Sequence, residues 1–237
     1  MEAWSTIAVG RREFTKSVQW LISADLDLRP FYRVAKRHAL MRSIIKAFAG
    51  LKPLRPSSLF ELAVVAITEQ QLSLAAAFHI RSRLIERFGA EIAGLRAFPA
   101  PRTLAVAALS ELRTCGLSLR KAEYMKEFAA NVANGALDLA ALEHMTAEEA
   151  HAKLIAQRGF GEWSTQYMLL RGLGHANCLP ASDSGLRRTV GKFLARGQRL
   201  GAKRLEEVLE PFAPFRGLAA FYLSVAARMP ENLHNIA

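Results

Sequence analysis

Beyond residue 28 almost no segment of this chain alternates apolar and polar residues with period two; apolar positions recur instead at three- and four-residue steps. Phe31, Val34, Ala35, His38, Leu40, Met41, Ile44, Ile45 and Phe48 set the pattern, and Gly50 ends it. The run from Leu59 to Phe88 predicts one or two buried helices, entered through Ser57 or Ser58 as N-cap and closed by Gly89. Shorter helical stretches follow over 104–112, 121–133, 186–194, 205–212 and 215–228, while the tail from Met229 is left unassigned. Such a chain buries its core by packing helix on helix, so the fold class is mainly α. The front differs. Residues 1–27, with Trp4, Ile7, Val9, Phe14, Val18, Trp20, Leu21 and Ile22, mix strand-like alternation with a short helical pattern. They read as an N-terminal remnant or edge segment carrying at most a small β element, ahead of a helical body over 28–237.

A length of 237 residues is ample for a core. No run of about 18 uncharged apolar residues occurs and no signal-peptide pattern opens the chain, which leads to the expectation of a protein without membrane association, cytoplasmic (beside the nucleoid in a prokaryote) or nuclear. Cys115 and Cys178 are too few for a disulfide framework, a four-thiolate cluster or a zinc ribbon, and the six histidines show no metal-ligand spacing. The net charge of +11 points to a polyanionic partner. Ribosomal, membrane-surface and nucleic-acid proteins share that bias, with nucleic acid favoured.

One stretch carries more specific chemistry. Thr146 and Glu149 form a capping box, and Ala150, Leu154 and Ile155 give a helical stripe. Arg158-Gly159-Phe160-Gly161 then stops the helix, because two glycines one residue apart favour a turn with positive φ. A second helix runs from about Glu162 to Leu173, so the helix-hairpin-helix spans about 146–173. The first amides of the outgoing helix lack intrahelical partners and offer a seat for an anion, although an ordinary helix–turn–helix corner would look the same. The loop over 177–186 holds Asp183, the only acid between Glu162 and Glu206. On its own Asp183 reads first as an N-cap; the helix dipole favours the anion there, so capping and catalysis are compatible. Trp163 and Tyr167, four apart, share a helix face, which suits core packing as well as a binding site. Upstream, Thr68-Glu69-Gln70-Gln71 interrupts an apolar run and marks a break, a helix end near solvent, or a polar site.

Together these residues resemble the helix-hairpin-helix DNA glycosylase superfamily, in its 3-methyladenine DNA glycosylase II branch. The resemblance covers roughly residues 28–228. Its most specific part is Arg158 through Tyr167, with Asp183 sixteen residues further on, and Ile67-Thr68-Glu69-Gln70-Gln71-Leu72-Ser73 upstream. It implies two helical subdomains flanking a cleft, and an enzyme of base excision repair. Asp183 would be the carboxylate that stabilises an oxocarbenium-like sugar, activates water, or does both, as a damaged base, foremost an alkylated purine, is hydrolysed away. Trp163, Tyr167 and Gln70 would contact the flipped base, and Gln71 or Leu72 would fill the gap it leaves. The amides of Gly159, Gly161 and Ser164 would hold phosphate, while the carbonyls of Ile155, Gln157 and Phe160 would hold a sodium or potassium ion, with no other cofactor. The partner would be double-stranded DNA containing damaged bases, bound by a monomer. Bifunctional relatives carry a lysine where Trp163 stands, so the resemblance implies base release without strand cleavage. Two departures stand out. The branch's long form begins with a β-rich domain, which residues 1–27 could represent only in lost or vestigial form. Ser224 occupies a position where a pocket tryptophan is common, implying a roomier pocket. Competing readings are a glycosylase of the same fold for oxidised or mismatched bases, and a non-catalytic helix-hairpin-helix DNA-binding protein.

Overall fold

In the computed structural model, which describes residues 10–229, the front of the chain is helical: α1 spans Arg11–Leu21. The strand alternation expected there does not form over these residues, whereas Trp4, Ile7 and Val9 lie outside the described region. The helix instead rests on the linker before residue 59. Trp20 Nε1 donates to the Pro56 carbonyl at 2.8 Å, and Arg55 stacks over the Trp20 ring while forking onto both oxygens of Asp25 at 2.7 and 3.0 Å.

The helical pattern after residue 28 resolves into α2 (Arg29–Ala35), with Pro30 in its first turn, and α3 (Ala39–Ala47). Ser58 then accepts from the Glu61 amide and starts α4 (Leu59–Glu69), and Ser73 accepts from Ala76 and starts α5 (Leu74–Phe88). The polar cluster falls at a break between two helices, with Gln71 exposed in the turn. Next comes a feature the periodicity did not announce, a hairpin of β1 (Glu91–Ile92) and β2 (Leu95–Arg96) paired antiparallel. Two-residue strands are too short for alternation to register, and Ala93 occupies a left-handed turn position (φ 50°) where asparagine would have signalled it. This is the only sheet among the described residues. The remaining helices are α6 (Pro101–Val106), α7 (Leu109–Thr114), α8 (Leu119–Ala133), α9 (Leu139–Leu142), α10 (Ala147–Ile155), α11 (Glu162–Arg171), α12 (Ser184–Leu194), α13 (Ala202–Leu209) and α14 (Arg216–Ala226).

Two hydrophobic cores result. The first is continuous in sequence, from Leu59 to Leu169, and centres on Phe60, Ile67, Leu84, Phe128 and Leu154. The second is made of two separate pieces: Leu28–Ile45 packs against Leu179–Ala226. Tyr222 of α14 pins those pieces together; its ring meets Phe31 at 5.1 Å, and its hydroxyl donates to the Leu51 carbonyl and lies 3.0 Å from that of Tyr32. The chain therefore leaves the second core after α3, builds the first, and returns through the loop that holds Asp183. That crossing sets the candidate residues at the margin between the two lobes.

Candidate active site

The hairpin is built by three consecutive residues with different physical tasks. Arg158 reaches outward to Glu123 and Glu127 of α8, each at 3.1 Å, and lies over the Tyr124 ring. Phe160 turns inward and stacks on Phe128 at 5.0 Å with the planes 13° apart. Gly159 between them has φ 88°, and a Cβ there would sit 2.3 Å from Cγ of Tyr124, so both backbone conformation and space demand glycine. Gly161 is different. Its φ of −108° is open to any residue, contrary to the positive φ expected of both glycines, and a Cβ would meet nothing within 4 Å. Nothing inside the protein explains a glycine at 161, whereas a ligand approaching the start of α11 would. The amides of Gly159 and Gly161 donate to no backbone group among the described residues, nor does that of Ser164.

A cleft of about 680 Å³ lies against the hairpin. One wall is the end of α4: Glu69, Gln70, Gln71 and Leu72; the second is Gly159, Gly161, Trp163 and Ser164; the third is Ser182, Asp183 and Ser184. Thus the three sequence motifs, dispersed over more than a hundred residues, meet in one place. Gln70 ties two walls together, its Nε2 donating to the Gly159 carbonyl at 2.8 Å and to Ser164 Oγ at 2.9 Å. Its amide hydrogens are therefore committed to protein, leaving Oε1 for any ligand. Gln71 follows with φ 55°, a left-handed backbone uncommon for a side chain of this size, and stands exposed beside Leu72.

Asp183 caps α12, as its own sequence context suggested: Oδ1 accepts from the Leu186 amide at 2.7 Å. Its other oxygen, Oδ2, accepts from the indole Nε1 of Trp163 at 2.9 Å. No lysine or arginine makes an ion pair with it among the described residues. The carboxylate is thus held by two neutral donors, with its charge uncancelled. Trp163 also stacks on Tyr167, ring centroids 5.2 Å apart and planes 15° from parallel. Tyr167 backs Trp163 rather than lining the cleft itself, and burial together with the nearby charge of Glu69 pushes its phenol above the usual range.

Sequence reasoning did not single out the supports beneath this wall. Arg81 of α5, nearly buried, donates Nη1 to Thr68 Oγ1 at 3.1 Å and to Glu69 Oε1 at 3.2 Å. Lys121 of α8 donates Nζ to the carbonyls of Thr68 and Gln70, and burial lowers its amine's pKa. Lys121 thus satisfies two carbonyls at the open end of α4, while Arg81 holds the side chains of Thr68 and Glu69. The signal for Arg81 was a cation on the apolar side of a buried helix. Ser224, by contrast, bonds back to the Ala220 carbonyl and does not line the cleft.

The carbonyls proposed for a cation can be tested against the local bonding. Those of Ile155 and Phe160 accept no backbone hydrogen bond, and that of Gln157 accepts one, from Phe160. Three neutral main-chain oxygens on one turn, two of them free, suit a hard monovalent cation. A second cavity of about 680 Å³ lies along another face of α11, where His151 and Gln166 are engaged with Glu162, and Arg216 with Asn177. Cys178 on its wall has a thiol pushed up to about 11 by burial, which makes it a poor nucleophile. Among the described residues no group of three or more His, Cys, Asp or Glu is placed to hold a metal ion, and no helix is long and apolar enough to cross a membrane.

Comparison with known proteins bears on the fold and the family. A DNA-3-methyladenine glycosylase of Bacillus subtilis is 31% identical over 220 residues, covering 90% of this chain and 72% of that protein. A putative DNA-3-methyladenine glycosylase of the same organism is 30% identical over 183 residues, and the chain spans 64% of its length. Among solved structures, a 3-methyladenine DNA glycosylase from Archaeoglobus fulgidus superposes with a TM-score of 0.80 at 29% identity, covering 93% of this chain and 77% of that one. At the level of fold, the Schizosaccharomyces pombe 3-methyladenine DNA glycosylase solved with abasic DNA matches with a TM-score of 0.74 at 23% identity, over 85% of this chain and 97% of that one. Residues 64–214 match the family model of the HhH-GPD superfamily of base excision DNA repair proteins, and the chain belongs to that superfamily.

Proposed function

We propose that this chain is a monofunctional DNA glycosylase that extrudes an alkylated purine from double-stranded DNA and hydrolyses its N-glycosidic bond. The observation that carries the reading is Asp183, a cleft carboxylate fixed by two neutral donors and cancelled by no cation. As the base departs, the sugar gains oxocarbenium character. A carboxylate about 4 Å away stabilises that charge by roughly 4 kcal/mol at an effective dielectric of 20, about a thousandfold in rate. The same group can accept a proton from the attacking water. Extrusion costs least at a damaged, weakly paired base, and the electron-rich face of Trp163 adds a cation–π contribution of about 0.5–2 kcal/mol for a cationic one.

The remaining parts fall into place around that step. Unbonded amides at Gly159, Gly161 and Ser164 seat backbone phosphate without reading sequence. A monovalent cation on the carbonyls of Ile155, Gln157 and Phe160 would bring positive charge to that phosphate. Gln71 is the better wedge than Leu72, since it stands exposed in the α4–α5 turn with a left-handed backbone that is uncommon for a side chain of its size. The purine base moiety would lie against Trp163 with Gln70 Oε1 at its edge. No lysine occupies the hairpin position, and Lys121, the amine bonded to this wall, is engaged with two carbonyls. Base release without a Schiff base is therefore the expected chemistry.

One experiment tests both parts. Asparagine is as good an N-cap as aspartate, so Asp183→Asn is expected to keep fold and DNA affinity while losing base release from methylated duplex by about a thousandfold. Wild-type turnover by the variant would remove Asp183 from the mechanism. Borohydride added to the wild-type reaction should trap no covalent protein–DNA adduct; an adduct would show lyase chemistry instead.

A further inference from the structure

Asp183 is not the only carboxylate on the cleft. Glu69, the last residue of α4, lines it too, and its side chain is only 12% exposed. One of its oxygens is engaged: Oε1 takes a hydrogen bond from Arg81 at 3.2 Å, while Oε2 has no partner among the described residues. Arg81 is itself divided, since the same Nη1 also bonds Thr68 Oγ1 and the guanidinium lies over the Phe78 ring. A single long contact to one oxygen falls well short of the bidentate fork that would cancel a buried carboxylate. Burial pushes the Glu69 carboxyl above its usual range, Arg81 and Arg171 oppose that, and the charge of Asp183 adds to it. Leaving such a group half-paired costs folding free energy. Tethering the end of α4 does not require it, because Lys121 already holds the Thr68 and Gln70 carbonyls.

We propose that Glu69 is a specificity-determining residue whose free oxygen recognises the positive charge of a purine alkylated at N3 or N7, so that cationic lesions are captured in preference to neutral ones. The inference rests on the glycosylase reading of Asp183. It divides the labour between two carboxylates by position along the breaking bond. Before cleavage the charge lies on the base, beside Glu69. As the C1′–N bond breaks, its electron pair moves onto the base and neutralises it, and the positive charge passes to the sugar, beside Asp183. Water oxygen then bonds C1′ and its proton passes to Asp183 and on to solvent. Glu69 thus favours the bound lesion over the transition state. It should therefore tighten capture at some cost to the saturating rate, because the charge it recognises has left the base in the transition state.

Glu69→Gln keeps the side-chain size and the acceptor for Arg81 while removing the charge. Single-turnover release is to be measured from duplexes carrying 7-methylguanine, a cation, and hypoxanthine, which is neutral, with thermal melting as the check on folding. The half-saturating concentration for 7-methylguanine should rise roughly ten- to fiftyfold, the upper figure being one charge acting across about 7 Å at an effective dielectric of 20 and the lower allowing for partial cancellation by Arg81. Its rate at saturation should not fall, and should rise by up to the same factor as the charge leaves the base in the transition state, while half-saturation for hypoxanthine should stay as in wild type. An equal change on both lesions, or a fall in the saturating rate for either, would overturn the proposal. Where the variant does not fold, the wild-type protein answers the same question. It should be inhibited about tenfold more tightly by the 7,9-dimethyladeninium cation than by neutral 9-methyladenine, a preference that Glu69→Asp keeps and Glu69→Ala loses; equal inhibition of wild type, or a preference that survives Glu69→Ala, counts against Glu69. Release of hypoxanthine alone by wild type defeats the Glu69 inference and leaves the glycosylase reading intact, whereas release of no base from any duplex defeats that reading itself.

Discussion

The indole of Trp163 gives its ring face to Tyr167 and its N–H to Asp183 Oδ2, so one side chain shapes the cleft wall and aims the carboxylate. Phenylalanine separates the two roles, since it keeps an aromatic face and removes the donor. A hydrogen bond to a charged group contributes about 1.5–3 kcal/mol, so a Trp163→Phe change is expected to slow base release by roughly ten- to a hundredfold with DNA affinity unchanged. Single-turnover kinetics beside a binding isotherm check this; a loss confined to affinity would mean the N–H does nothing for Asp183. At this scale the sequence was partly legible. A four-residue spacing places Trp163 and Tyr167 on one face, and Asp183 before a basic helix is a recognisable cap. That the indole N–H meets this carboxylate depends on how the nineteen intervening residues fold back, and no local rule encodes that. The free oxygen of Glu69 was hidden for the same reason: its partner Arg81 lies on the next helix.

The helix-hairpin-helix joins two short helices by a turn in which each glycine answers to a different constraint. At Gly159 a methyl group would need a left-handed backbone, costing about 1–2 kcal/mol, and would overlap Tyr124, adding about 1–3. Gly159→Ala is therefore expected to lower stability by about 2–5 kcal/mol in denaturant unfolding. Gly161→Ala should leave stability within about 1 kcal/mol of wild type or slightly raise it, because its backbone is permissive and the space around it is empty. If the hairpin seats phosphate, that harmless methyl should still weaken duplex binding. Unchanged affinity for Gly161→Ala would mean that DNA does not approach this turn. Helix starts were the most legible elements, because the caps expected at Ser58, Thr146 and Asp183 each accept a hydrogen bond from an amide in the first turn of the helix that follows, whereas the start at Ser73 was hidden inside one long apolar run. The β hairpin at Glu91–Arg96 was not, since two-residue strands leave no period to read. The front segment was ambiguous until Trp20 was seen docked on Pro56 and Arg55, contacts made across more than thirty residues.

At the scale of the molecule, the returning chain places the Asp183 loop against the first lobe, so the cleft is a product of topology rather than of any one motif. Periodicity shows that helices pack, but the division into two cores, one continuous and one split, emerges only when Leu28–Ile45 is seen beside Leu179–Ala226. The charge of the chain belongs to this scale as well. An excess of eleven cations is more than a cleft needs, and its natural use is a footprint along the phosphate backbone. Each phosphate neutralised releases condensed counterions, giving a slope of about −0.9 per contact in the logarithm of affinity against that of salt. Binding of Asp183→Asn, which holds the lesion without turning it over, should therefore fall about 10³- to 10⁵-fold between about 50 and 200 mM salt if six to ten phosphates are contacted. Undamaged duplex of the same length should show nearly the same slope at lower affinity, because phosphate contacts carry no information about the base. A shallow slope for both would separate the basic surface from DNA binding; a steep slope for lesion-bearing DNA alone would mean that the footprint forms only after the base has left the stack.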